Sequence, residues 1–309
     1  VRYVTSLAVL ITALAYVVLG QVPNYYDLVK LAEKCYDNKE YNNSGEYYDK
    51  AFSIRMGKPD DYYNAACSWV LAGNKVKAVN YLHQSIELGW LNINHLKKDT
   101  DLDSLHNTWE WEQLVDKLQR NVDEFESHLN KPLMKELEAI EESDQRYRMM
   151  MDSVQKKFGW DSKEIKDLWT KQDNLDSINL IRIKEIIDNY GYPGKSLVGN
   201  QNSTAWLVIQ HADLSTQEKY LSILQNAAQI GELPKPSFAL SVDRVRMRKG
   251  EKQLYGSQLK MKNGHYAIYP IEDELNVNKR RAEMDLGPLE DYVKQYGIEY
   301  KKPSENNKK

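Results

Sequence analysis

The stretch Tyr190-Gly-Tyr-Pro-Gly-Lys-Ser196 closes on Gly-Lys-Ser, the last letters of a nucleotide-binding phosphate loop. Read that way, it would put a strand before the turn, a helix after it and a parallel α/β sheet around both. The neighbouring residues decide otherwise. A phosphate loop needs glycine five residues before the one in its Gly-Lys pair, and position 189 is Asn. The preceding segment, SINLIRIKEIIDNY, sets Leu180, Ile183, Ile187 and Tyr190 on one helical face, with Ile181 and Ile186 beside it. Gly191 then reads as the stop of that helix, with proline following at 193. Lys195 reads as a solvated turn residue. The turn is therefore expected to bind no phosphate, and the chain to be mainly α.

Working outward from the turn, 133–190 reads as helix throughout. After it, STAWLVIQHADLS is apolar on every side from Ala205 to Ile209. It fits a short buried helix capped by Ser203 or Thr204, with a strand as the alternative, and carries Gln210 and His211 into the interior. TQEKYLSILQNAAQIGEL and KPSFALSVDRVRMRKG are amphipathic helices. In the second, Phe238, Val242 and Val245 face the core, with Asp243 and Arg244 at its edge. QLYGSQLKMKNGHYAIYP alternates, and Asn263-Gly264 marks a hairpin turn. Two helices near 277–284 and 288–296 complete this half. The polar ending KKPSENNKK is expected to be disordered over 301–309.

Toward the N-terminus, a shift of 34 residues lays Ala32 on Ala66, Ser44 on Ala78, Tyr48 on Leu82 and Ala51 on Ser85. The same shift lays Cys35 on Trp69, Tyr47 on Tyr81 and Phe52 on Ile86. Small residues recur where two helices cross, and large ones where they fill the groove. Residues 26–91 thus resemble tetratricopeptide repeats, helical hairpins that bury their apolar faces only by stacking. That resemblance implies a protein or peptide partner. GWLNINHLKKDTDLDSLHNTWEWEQLVDKL resembles the cap that follows such repeats, a turn carrying Asp101, Leu102, Asp103 and Leu105 before a last helix. The acidic pair reads as a helix N-cap, since the glycine and closing glutamate of a calcium loop are missing. The expected organisation is tetratricopeptide-like hairpins over 21–120, a charged linker over 121–132, and a mostly helical domain with a small β-hairpin over 133–300.

The first twenty residues, VRYVTSLAVLITALAYVVLG, have Arg2 near the start, an apolar run from Leu7 to Leu19, and Val18 and Gly20 placed as in a cleavage site. This is the pattern of a secretory signal peptide, with an uncleaved anchor as the alternative. The protein is expected to be exported, to the periplasm or beyond. Cys35 and Cys67 are too few for a disulfide framework and read as two buried thiols, with one bridge as the alternative. A net charge of −3 over 309 residues gives no pull toward nucleic acid or anionic membrane. Tyrosine and tryptophan, 21 and 7 against 4 Phe, suit half-buried grooves.

The ordered segments DQRYR, WTKQDNLDSINL, VIQHADL, DRVRMRKG, QLYGSQ, YPIED and NKRRAEMDLGPLEDY, spread over 144–296, resemble a bacterial domain of unknown function, family 6624. Tyr192 stands where the family's Gly-Trp-Pro turn would have Trp. The resemblance implies domain identity and no reaction. The polar residues of these segments are the candidate ligand-binding set: Asp144, Gln145, Arg148, Asp173, Gln210, Arg244, Gln253, Tyr255, Gln258, Asp273 and Arg281. His211 and Asp243 are the catalytic candidates. If the set converges on one cleft, His211 is the general base, since imidazole alone ordinarily changes charge near neutral pH. Asp243 or Asp173 would orient it. Arg244 and Arg281 would hold a carboxylate or phosphate, and Gln253, Tyr255 and Gln258 would read polar substrate groups. The alternative is that these side chains only satisfy the fold. No Gly-x-Ser-x-Gly elbow, zinc-binding His-Glu-x-x-His helix or dinucleotide loop is legible, so neither metal nor cofactor is expected. Two functions stay open: an exported interaction protein with a ligand-binding or structural C-terminal domain, and a metal-independent hydrolase or transferase centred on His211.

Overall fold

The computed structural model describes residues 23–262 and 264–301. The expected signal segment, the polar tail beyond 301 and Asn263 lie outside the described residues. The chain is mainly α and divides into two units between Ser127 and His128. Residues 121–127, expected in the linker, continue a helix, and only 128–130 separate it from the next.

The first unit begins with two helical hairpins. Helices α1 (Tyr25–Asp37) and α2 (Tyr41–Ile54) form one, α3 (Pro59–Leu71) and α4 (Lys75–Glu87) the other. The 34-residue pattern now has a spatial meaning. Ala32, Ala51, Ala66 and Ala78 are fully buried, and so are Ser44, Ser68 and Ser85. Ser44 Oγ donates to the Ala32 carbonyl at 2.8 Å and lies 2.8 Å from Ser68 Oγ. Small side chains let the backbones approach, and the two hydroxyls sit within hydrogen-bond distance in the gap. Asp49 ties the hairpins together, accepting from Trp69 Nε1 at 3.1 Å, Tyr81 Oη at 2.6 Å and Lys77 Nζ at 2.6 Å.

Helix α5 (Ile93–Lys98), a 3-10 turn (Thr100–Leu105) and α6 (Trp109–Ser127) close the stack. Leu96, Leu102, Leu105, Leu114 and Leu118 join the core built around Trp69, Leu82 and Ile86. The turn's N-cap is Asp99, whose carboxylate accepts from Asp101 N at 3.0 Å. Asp101 and Asp103, expected in that role, sit inside the turn instead. Cys35 and Cys67 are both free and buried. Burial pushes the Cys35 thiol up to about 11.

The second unit starts with α7 (Lys131–Gln145), α8 (Arg148–Phe158) and the long α9 (Lys163–Tyr190). On the expected face of α9, Ile183 and Ile187 are buried, Leu180 is half-buried and Tyr190 is exposed; of the two residues beside it, Ile186 is buried and Ile181 exposed. The buried stripe thus leans to the Ile186 side, and its isoleucines share a core with Leu133, Leu137 and Ile140 of α7. Helix α9 stops at Gly191, whose φ of +73° suits glycine and whose N–H reaches the Ile187 carbonyl.

The turn that resembles a phosphate loop leads into a four-residue helix, α10 (Lys195–Val198). A carboxylate of the protein occupies its start. Glu232 Oε2 accepts from Ser196 N at 2.8 Å, and the Glu232 carbonyl accepts from Lys195 N at 3.1 Å. A Cβ on Gly194 would lie 2.2 Å from that carboxylate. The Gly-Lys pair thus makes room for Glu232.

A 3-10 turn (Gly199–Ser203) leads to α11 (Thr204–His211), the helix expected in STAWLVIQHADLS, though neither Ser203 nor Thr204 caps it through its side chain. Helices α12 (Leu214–Gln229) and α13 (Lys235–Arg248) then pair. Phe238 and Val245 are buried as expected, and Val242 is half-buried. The antiparallel hairpin β1 (Leu259–Lys262) and β2 (His265–Ile268) pairs Leu259 with Ile268. Helices α14 (Val277–Glu283) and α15 (Leu289–Lys294) build a small second core of Ile271, Val277, Leu289 and Val293. Among the described residues no helix is long and apolar enough to cross a membrane.

Candidate functional site

His211 owes its place to a short helix that must end. Ala205, Val208 and Ile209 anchor α11 in the core, and Ala212 leaves the helix in an extended conformation. Asp213 then begins α12 as its N-cap, with Oδ1 accepting from Thr216 N at 2.7 Å. That bond is the main reason its carboxyl is held below the usual range. In His-Ala-Asp, then, the histidine closes one helix and the aspartate opens the next.

The freed carbonyls at the end of α11 are gripped by side chains. Gln210 O accepts from Arg244 Nη1 at 3.0 Å and from Gln217 Nε2 at 2.6 Å. Ala212 O accepts from Arg248 Nη1 at 2.8 Å and from Gln217 Nε2 at 3.2 Å. Cations at a helix C-terminus are favoured by the backbone dipoles. Burial, with Arg248 close by, pulls the Arg244 guanidinium below its ordinary range. Arg244 and Gln217 also line a cavity with room for about one water molecule, closed by Ile209, Leu224 and Ser241.

The imidazole of His211 turns toward α7. Its Nδ1 lies 3.1 Å from Asp144 Oδ1, in a hydrogen bond where a carboxylate can only accept. Asp144 is fully buried, whereas a fifth of the His211 side chain is open. Nε2 has no partner among the described residues. Asp144 is itself held in place: Gln145 Nε2 donates to Oδ2 at 2.7 Å, and Arg148 Nη1 stands 3.5 Å from the same oxygen. Arg148 also donates to the Asp144 carbonyl, and it meets Asp176 in a two-pronged pair, with Nη1–Oδ1 at 2.8 Å. Gln172, fully buried, donates to Asp176 at 2.8 Å and accepts from Tyr147 N at 3.1 Å.

Of the candidates, Asp144, Gln145, Arg148 and His211 therefore meet, with Gln210 and Arg244 at the adjoining helix end. The others go elsewhere. Asp243, read as a partner for His211, is wholly buried beneath the loop that follows α13. Its Oδ1 accepts from Leu254 N at 2.7 Å and Tyr255 N at 3.0 Å, and its Oδ2 from Ser257 N and Ser257 Oγ, both at 2.9 Å. Four backbone and hydroxyl donors occupy the carboxylate. Gln253 bridges the same loop to the strand side, donating to Tyr269 O at 2.9 Å and accepting from Gln258 N at 2.9 Å. Gln258 donates to Ser257 Oγ, and Arg281 donates to Tyr255 O at 2.7 Å and Gly287 O at 2.6 Å. Tyr255, Gln253, Gln258, Asp243 and Arg281 thus form one loop-holding network. Asp273 lies in a left-handed turn, with Asn276 Nδ2 at 2.7 Å. Asp173 is exposed on α9.

The side chains that sequence reasoning missed are Gln172, Asp176, Gln217 and Arg248. The first two had a signal. Four residues apart on one helix, they share a face from which Asp173 is turned away.

The described chemistry carries no named activity from comparison: no curated protein and no solved structure matches the chain. A family model does match, over residues 131–301, and its description is a family of unknown function, DUF6624. That span covers more than half of the 309 residues and holds every side chain of the His211–Asp144 site, and the chain belongs to this family.

Proposed function

We propose that the second unit is an acid–base site for hydrolysis or group transfer on a small anionic or saccharide-like substrate. His211 is its general base. The observation that carries this reading is the 3.1 Å bond from His211 Nδ1 to the buried Asp144 carboxylate. A carboxylate can only accept, so it fixes the proton on Nδ1 and leaves the Nε2 lone pair for a proton from water or a substrate hydroxyl. The open edge of the ring gives that proton a route in. Arg244 and Arg248 put positive charge at the neighbouring helix end, which favours a substrate with negative charge. The reading needs no metal or organic cofactor.

The test uses p-nitrophenyl acetate, phosphate and glycosides with the full chain. Turnover of at least one of them is expected, and His211→Ala should lower it by about 10²–10⁴-fold, the usual range for a general base. Equal rates in parent and variant on every substrate would sink the reading.

The first unit, in the same proposal, docks a protein or peptide partner, as stacked hairpins do, and the whole chain acts after export. Support for docking comes from the exposed Trp109 and Val76 at 69% and 73%. A peptide selected on the full chain should bind about tenfold more weakly to Trp109→Ala, since exposed tryptophans are frequent binding anchors. Selection yielding only peptides that are insensitive to Trp109 and Val76 would remove that surface from the proposal.

A further inference from the structure

The turn after α5 brings three metal-binding side chains together in the first unit, with a histidine beside one of them. Cys67 comes from α3, His95 from α5, Asp99 from the end of α5 and Asp101 from the 3-10 turn. The Cys67 sulfur and one oxygen from each aspartate lie within 4.8 Å of one another. Cys67 Sγ is 3.6 Å from Asp99 Oδ2, and His95 Nε2 is also 3.6 Å from that oxygen. Ligands on one tetrahedral ion, with bonds of about 2.0–2.3 Å, stand roughly 3–4 Å apart. For Cys67, Asp99 and Asp101 a contraction of about 1 Å would suffice, and His95, beside Asp99, would swing its half-exposed ring in as the fourth ligand.

Two further features favour an ion over a mere cluster of acids. The donors are mixed: a sulfur, an imidazole nitrogen and two carboxylates are the set preferred by zinc-like ions, whereas calcium and magnesium take oxygen alone. And among the described residues the two aspartates have no lysine or arginine partner in an ion pair; in that place beside Asp99 stands only the His95 imidazole. The carboxylates are also held by two tyrosine hydroxyls. Tyr63 Oη donates to Asp99 Oδ2 at 2.7 Å, and Tyr36 donates to Asp101, as outer hydrogen bonds do around metal ligands. Cys67 is buried at 4% exposure, while the half-exposed His95 ring offers an entry path.

We propose that Cys67, His95, Asp99 and Asp101 form a binding site for a divalent transition-metal ion of the zinc type, joining the closing turn to the second hairpin. The sequence alone did not suggest this role, because Cys67 stands 32 residues from Asp99 and no local spacing joins them.

The experiment uses the full chain, reduced, loaded with zinc or cobalt(II) and desalted. About one zinc per chain should remain, and the cobalt form should show a near-ultraviolet thiolate-to-cobalt band. Cys35→Ser should keep the band and Cys67→Ser should lose it. His95→Asn changes a half-exposed ring and should leave the helical circular dichroism intact while weakening zinc at least about tenfold. Should Cys67→Ser not fold, the band in Cys35→Ser and the His95→Asn affinity still decide. No retained zinc, a cobalt complex without the thiolate band, or unchanged affinity in His95→Asn would each overturn the site, the last two by assigning the ion to surface groups.

Discussion

Asp243→Ala is expected to destabilise the protein by about 3–5 kcal/mol. The carboxylate is fully buried and serves three backbone amides and a hydroxyl between Leu254 and Ser257. Each buried donor left without an acceptor costs about 1–3 kcal/mol, and alanine supplies none. Water entering the gap would recover part of the sum, which keeps the total below four full penalties. The loss is a large share of the roughly 5–15 kcal/mol that holds a domain folded. Asp243→Asn should lose less, because its amide oxygen can still accept from two of the donors while its NH2 faces the others. The loop it holds also carries the Tyr255 carbonyl that Arg281 grips, so the disturbance should spread to the small core around Val277 and Leu289. Urea unfolding of the full chain, followed by circular dichroism, measures the change. A loss under about 1 kcal/mol for the alanine variant would mean that the loop finds other acceptors, and the scaffolding role would be lost.

How much of this was legible beforehand differs from one element to the next. The helices came through well because periodicity is local. Gly191, the apolar run of α11 and the hairpin near Gly264 each carry their own stop or turn signal within a few residues. Partner choice was not legible, because it depends on which residues far apart in sequence face each other. Asp243 sits next to Arg244, and periodicity alone places both at the same edge of α13. One residue is a rotation of about 100° on a helix, enough to send Asp243 under the loop and Arg244 to the end of α11. Asp144 precedes His211 by 67 residues, and no periodicity connects them. The Asp173 reading failed for a related reason. The buried face of α9 at that height passes through Gln172 and Asp176, and a single polar residue in a polar segment gives no indication of its direction.

Asp144→Asn should separate the two roles of the buried carboxylate. For the proposed reaction it is expected to lower turnover by about 10²–10⁴-fold on any p-nitrophenyl substrate that the parent accepts. The fold should lose only about 1 kcal/mol, because Arg148 keeps its two-pronged pair with Asp176 and the amide fills the same space. The large kinetic effect has a definite cause. A carboxylate can only accept from Nδ1, whereas an amide can also donate to it, and an imidazole that accepts at Nδ1 carries its proton on Nε2. The nitrogen meant to take a proton would already hold one. Nitrogen-15 spectra of His211 report the change directly, with Nε2 unprotonated in the parent and protonated in the variant. An acid–base dyad requires the rate and the tautomer to move together. If turnover falls while the tautomer stays, Asp144 acts through something other than the ring, and if neither moves, the bond from His211 to Asp144 is part of the scaffold alone.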